Sequence, residues 1–547
     1  MANFYCKQVS ALEKIFLDDK PEDKAAFHSF SALCGEKFSY QIMYCGEVHT
    51  PVAAQVTVES PLKEYIALHV VGNVPSEAPC YLGHIDDDYI TTKAGLIPDV
   101  LYPLEDGKIF IAQRWHSLWI DVNVPKDFAA GKYPITVTIQ CEEAKQSLTF
   151  DLKVIGAVMP EQKTMYTQWF HTDCISDYFG VDVFSEEYWK IVENYLKAAV
   201  ESGVNMILTP VFTPPLDTAV GSERKTVQLV DVFLNDGKYT FNFDKFVRWV
   251  KLAQSCGIRY FEISHLFTQW GAEFTPKIMA VVDGETKRIF GWDVRATSDE
   301  YRQFLGSFIP ELTAKIDELG IRENTYFHVS DEPSEKHLDN YLAAKEVLRS
   351  VLKGFKIMDA LSHYEFYARG IVELPVPVTS SVEEFYQNKV KNLWTYTCCG
   401  PATIYSNRFM AMPSGRNRVI GMQMYKYDIV GFLQWGMNFY NTQNSLAQIN
   451  PYQVTDAGGA FPSGDAFTLY PYKDGAIQSI HGRVFFDALQ DMRTMTLLES
   501  YIGKEKVVEL IESYGIKTFA DYTHDYSKLL ALKAEANALI EKYAAKA

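Results

Sequence analysis

Residues 325–334 read TYFHVSDEPS, and this stretch decides how the chain folds. An apolar, strand-like run ends at Ser330, two acids follow, Pro333 stops the strand, and Ser334 is the expected N-cap of a helix carrying Leu338, Tyr341, Leu342 and Leu348 on one face. Strand, polar turn and amphipathic helix make one βα unit of a parallel sheet. The cycle repeats upstream. The run 165–171 (MYTQWFH) precedes a helix with Ser185 as N-cap, with Tyr188, Val192, Tyr195, Leu196 and Ala199 inward and Gly203 as its stop. The run 204–211 (VNMILTPV) leads to a helix starting near Asp244 and ending at Gly257, and 259–266 (RYFEISHL) to one opened by Ser298. Downstream, 356–360, 372–378, 392–397 and 429–439 bring the strands to eight. Eight such units predict an α/β fold of the (β/α)8 TIM type over 161–483, with a doubly wound sheet as the alternative.

The flanks have a different texture. Between about 37 and 157 the apolar residues recur every second position, as in Leu118, Ile120, Val122 and Val124, or Tyr133, Ile135, Val137 and Ile139, with Pro and Gly between runs. Residues 1–160 are therefore expected to form an N-terminal antiparallel β-sandwich. From 484 to 547 the pattern is helical, including an Ala/Leu/Lys/Glu-rich stretch at 526–543.

Composition narrows the partners. The 547 residues carry 69 acids against 52 bases, a net charge of −17, which repels nucleic acid and anionic membrane surfaces and favours a neutral substrate. Aromatic residues reach 14%, an excess that suits stacking against sugars, although a large core also consumes rings. Nine cysteines without a CxxC pair or a zinc-type cluster give no sign of a disulfide framework, a metal or a cofactor, and fit reduced thiols in a cytoplasm. No apolar run reaches the roughly 20 residues of a membrane span, and the start MANFYCKQVS lacks the pattern of an export signal. A cytoplasmic location is expected, or secretion if a leader has been removed.

In a barrel, chemistry sits where strands end. Asp331 and Glu332 are two acids at such an end. Acids at a helix N-terminus are also favoured by the macrodipole alone, so position matters more than the motif. A carboxylate pair on a barrel rim suggests glycoside hydrolysis. Adjacent residues are poorly placed to work on opposite faces of a sugar ring, but they can share one side, one protonating the glycosidic oxygen while the other holds a substrate group that itself attacks the anomeric carbon. A 2-acetamido group is such a substituent. Other rims offer Trp169, Arg224, His265, Gln269, Trp270, Trp394, Tyr396 and Trp435 for substrate binding, while His171 and His265 lack the spaced partners of a metal site. Two alternatives stand beside this reading. A conventional glycosidase would keep Glu332 as acid and take Glu262, Asp173 or Asp359 as nucleophile, and a non-catalytic protein would only bind glycans.

The segments LTPVFTPPLDT (208–218), FEISHLFTQWGA (261–272), FGW (290–292), FHVSDEP (327–333) and SGDAFTLYP (463–471), in this order, resemble glycoside hydrolase family 123, over roughly residues 40–490. The resemblance implies a retaining hydrolase that releases N-acetylhexosamine, specifically β-linked GalNAc, through an oxazoline intermediate. It further implies that Asp331 orients and polarises the acetamido group and that Glu332 acts as general acid and then general base, which requires Glu332 to start protonated. Tyr396 is the candidate donor to the acetamido carbonyl.

Overall fold

The protein is described by a computed structural model over residues 3–47, 50–142, 144–269, 271–332 and 335–545. The eight expected runs become eight strands: β1 (Met165–Gln168), β2 (Met206–Thr209), β3 (Tyr260–Ile263), β4 (Thr325–Phe327), β5 (Lys356–Ala360), β6 (Leu374–Val376), β7 (Trp394–Thr397) and β8 (Gly431–Gln434). All lie in one parallel sheet in the order β6-β5-β4-β3-β2-β1-β8-β7. Just past β6, a parallel bridge from Val378 to Tyr396 joins the two outer strands, so the sheet is nearly closed and barrel-like.

Strand alternation sorts the apolar residues into two cores. Met206, Leu208, Tyr326, Met358, Trp394, Tyr396 and Leu433 pack together inside the curved sheet. Their neighbours Ile207, Phe261, Ile263, Phe327, Ile357 and Phe432 belong to the outer layer, against the helices. This two-sided burial explains why these strands read as continuous apolar runs instead of alternating ones.

The expected caps at Ser185 and Ser298 form: each hydroxyl accepts the backbone N–H three residues on, that of Tyr188 and of Tyr301. Gly257 ends its helix at φ +107°, a conformation that costs glycine nothing. The cap expected at Ser334 lies outside the described residues.

The N-terminal part folds into two five-stranded sheets. They share a core that includes Tyr40, Ile120, Val137, Ile139 and Phe150. Pairing is not antiparallel throughout, because Ala144–Val158 runs parallel to Ser29–Cys34. Strand patterning missed a further four-stranded sheet, Asp231–Asn235, Lys238–Asn242, Ile278–Val282 and Glu285–Phe290, built from excursions after β2 and β3. Residues 77–94 reach from the N-terminal sheets to the barrel: the N–H of Ala78 donates to Asp456 Oδ2 at 2.9 Å, Tyr81 Oη to the Ala460 carbonyl at 3.0 Å, and Tyr89 Oη to the Ala402 carbonyl at 2.6 Å.

The helix after β8 spans Ile480–Ile502 and so begins before position 484. It lies against the helix Ser414–Lys426 so closely that a Cβ on Gly421 would stand 2.0 Å from the Ala488 carbonyl oxygen. Backbone cannot yield as a flexible side chain does, so Gly421→Ala is expected to destabilise the fold by about 1–3 kcal/mol or more. Thermal melting checks this; an unchanged Tm contradicts the close helix contact. No helix among the described residues is long and apolar enough to cross a membrane.

Candidate active site

Beyond β4 the chain stays buried through His328, Val329 and Ser330, then turns. The turn is held from two sides. Asp359 Oδ1, at the end of β5, accepts the N–H groups of Val329 and Ser330 at 3.0 and 3.3 Å, and the Ser330 hydroxyl donates to the Thr268 carbonyl at 2.9 Å. Glu332 then adopts φ +44°, the left-handed region that residues with side chains adopt uncommonly. This backbone turn brings both neighbouring side chains to one cavity instead of opposite faces.

That cavity measures about 240 Å³ at the strand ends. Trp169, Trp435 and Phe461 supply aromatic wall, Leu216 and Leu433 apolar wall, and Asp331, Glu332, Asp217, Gln269, Gln443 and Tyr396 the polar groups. It lies below the range of about 300–1,000 Å³ that takes drug-sized ligands and fits a single sugar ring better. Tyr396 Oη donates to Glu332 Oε1 at 2.5 Å. Burial first, and the Glu332 carboxylate second, hold Asp331 well above the ordinary carboxylate range, while His328 beneath acts the other way.

Under the pair lies a sealed polar layer. Glu262 accepts from Thr167 Oγ1 at 2.7 Å, from Trp169 Nε1 at 2.6 Å and from His328 Nε2 at 2.6 Å. His328 Nδ1 lies 3.5 Å from Asp359 Oδ1, and Tyr341 Oη donates to Asp359 Oδ2 at 2.5 Å. Burial opposes a charge on His328, but Glu262 and Asp359 outweigh it and push the imidazole up to about 10.

Among the residues expected to bind substrate, Trp169, Gln269, Tyr396 and Trp435 line the cavity together with Asp331 and Glu332. Three others stand behind the wall. His265 is buried and stacks on His328 with ring centroids 4.3 Å apart; burial, then the His328 charge, hold it well below the usual histidine range. Arg224 is buried in a two-pronged pair with Asp173 (2.6 and 2.7 Å), and its Nη1 donates to the Leu216 carbonyl, so it braces the loop after β2. Trp394 is fully buried against Gly431 inside the sheet. Rim position in the sequence does not say which way a side chain turns, and these three turn inward to satisfy packing or charge. Trp270 lies outside the described residues.

His171 is likewise structural: Arg224 Nη2 donates to its Nδ1 at 3.1 Å and its Nε2 donates to the Trp435 carbonyl at 2.9 Å. Burial and then Arg224 push it down to about 3, consistent with the neutral ring these bonds require. The three acids considered as alternative nucleophiles fare no better. Glu262 and Asp359 are fully buried, Asp173 is neutralised by Arg224, and none of them lines the cavity.

Sequence reading missed Asp217, Gln443 and Phe461 as cavity residues, as well as Asp465, whose Oδ2 accepts the Trp435 indole N–H at 2.9 Å. Asp465 belongs to the SGDAFTLYP segment, so the motif itself was the available signal.

A barrel-like parallel sheet presenting a carboxylate pair, a tyrosine and tryptophan walls in a sugar-sized cavity defines the class: a glycoside hydrolase. The model of the glycoside hydrolase 123 catalytic domain matches residues 169–498, and the chain belongs to glycoside hydrolase family 123. Among solved structures, a family 123 glycoside hydrolase from Clostridium perfringens, described in terms of glycolipid glycan hydrolysis, superposes with a TM-score of 0.75 at 15% identity, covering 99% of this chain and 98% of that one. A β-glucuronidase from Bacteroides uniformis is far looser, with a TM-score of 0.30 at 10% identity over 90% of this chain and 52% of that one. No curated protein matches the chain.

Proposed function

We propose that the protein is a retaining β-N-acetylhexosaminidase, acting on β-linked GalNAc by substrate-assisted catalysis, with residues 161–483 as a (β/α)8 barrel and the N-terminal sheets as a sandwich. The observation that carries this reading is the opening of Asp331 and Glu332 into one cavity, while Glu262, Asp173 and Asp359 are sealed or paired behind it.

With the cavity free, burial disfavours a charge on Asp331, and Glu332 Oε1 accepts from Tyr396. An incoming acetamido N–H needs an acceptor, which favours ionised Asp331 and places a proton on Glu332. Glu332 then protonates the glycosidic oxygen. The acetamido carbonyl oxygen attacks the anomeric carbon as the leaving group departs, forming an oxazolinium whose positive charge Asp331 stabilises. Glu332, now a base, activates the water that opens the ring, and retention follows from two inversions. Tyr396, released from Glu332, donates to the acetamido carbonyl.

The test is a panel of aryl β-glycosides with and without the 2-acetamido group. Turnover confined to the acetamido sugars, with inhibition by an oxazoline-mimicking thiazoline, supports the reading; comparable cleavage of aryl β-galactoside contradicts it. A second expectation concerns Tyr396→Phe, which removes one donor while keeping the ring. kcat on aryl β-GalNAc should fall about 10- to 100-fold with KM changing little. An unaltered kcat rules out the assigned role.

A further inference from the structure

Asp217, in the loop after β2, holds φ +42°, so together with Glu332 it is one of two cavity residues bearing side chains in the left-handed region. Its conformation is imposed from several directions. Gln269 Oε1 accepts its N–H at 2.6 Å, the Ser445 hydroxyl donates to its carbonyl at 2.6 Å, the Asn444 N–H donates to Oδ2 at 3.0 Å, and Arg224 fixes the preceding carbonyl. Aspartate enters this region more readily than most residues, and these contacts fix where its carboxylate stands at the cavity.

The carboxylate itself is not neutralised. Among the described residues no group bonds Oδ1, and no lysine or arginine lines the cavity. Burial pushes Asp217 up to about 6 against the pull of the Asn444 N–H and Arg224, the cost of holding an acid there without a paired cation. Holding the loop would need only the Oδ2 contact, which an amide could make equally well. An unpaired acceptor beside tryptophan wall and two glutamines suits the hydroxyl donors of a neutral sugar.

We propose that Asp217 binds substrate, its Oδ1 accepting a hydrogen bond from a hydroxyl of the sugar whose acetamido group lies on Asp331. The inference rests on the N-acetylhexosaminidase reading above.

The test is a cycle between enzyme and substrate. Wild type, Asp217→Asn and Asp217→Ala are assayed on aryl β-GalNAc and on its 3-, 4- and 6-deoxy analogues, with thermal melting to confirm folding. Wild type should lose roughly 10- to 100-fold in kcat/KM on one deoxy analogue relative to the parent. In Asp217→Ala the parent should lose a similar factor, and the penalty for that deoxy position should vanish. Asp217→Asn keeps an acceptor for the Asn444 N–H, so it should reproduce the loss of discrimination even if the alanine variant melts early. Two results overturn the proposal: deoxy penalties unchanged in both variants, or turnover abolished on every analogue and rescued by azide as a glycosyl azide, which would make Asp217 a nucleophile. Failure of the underlying reading is distinct, because wild type would then leave aryl β-GalNAc intact, and the cycle would be run on deoxy analogues of whichever aryl glycoside it cleaves.

Discussion

Replacing Glu332 by glutamine is expected to lower kcat on an aryl β-N-acetylgalactosaminide by about 10²–10⁴-fold, the range that a positioned general acid contributes. The dependence on leaving group identifies the role. A 2,4-dinitrophenolate departs without a proton, so its loss in kcat/KM, which reports the steps up to oxazolinium formation, should be small, whereas a 4-nitrophenyl or alkyl aglycone should show the full effect. Glutamine keeps the size of the side chain and can still accept from Tyr396, which separates the missing proton from disturbed packing. Equal losses in kcat/KM across aglycones would exclude Glu332 as the acid.

Asp331→Asn should reduce kcat by roughly 10²–10³-fold, the scale seen when one group that stabilises developing charge is removed. The same substitution should raise stability, and the sign follows from linkage. Asp331 is raised in the folded protein above the unfolded value of about 3.9. Below that value both states are protonated and the native state suffers no penalty. As pH rises toward the folded-state value the unfolded chain ionises while the native site resists, so wild-type stability declines. Asparagine does not titrate. Its advantage should therefore be absent below about pH 4 and grow toward neutrality, reaching a few degrees in Tm. An Asp331→Asn variant no more stable than wild type at neutral pH would show that the half-buried acid carries no such cost.

The strands were legible because two-sided burial leaves long apolar runs, and Ser185, Ser298 and Gly257 marked helix ends by local chemistry that tertiary packing did not override. The four-stranded excursion sheet was not legible. Glu285–Phe290 is exposed over most of its length, so its sequence carries little apolar signal. At the site, Asp331 and Glu332 could be found because a strand end locates them along the chain. Asp217 lies in the LTPVFTPPLDT segment, but its place at the cavity depends on Gln269, Asn444 and Ser445, which are distant in sequence. Arg224 and His265 misled for the converse reason. They sit near rims but meet Asp173 and His328, partners that one-dimensional reading cannot supply.

The connections made by residues 77–94 bear on any attempt to build a smaller catalyst. Tyr81 grips the carbonyl next to Phe461, itself a wall of the reaction chamber. Excising the first 160 residues would thus remove scaffolding from that wall along with an appendage, and a trimmed enzyme should bind sugar more weakly even where it still folds. Any smaller version would have to keep the arm that steadies this wall.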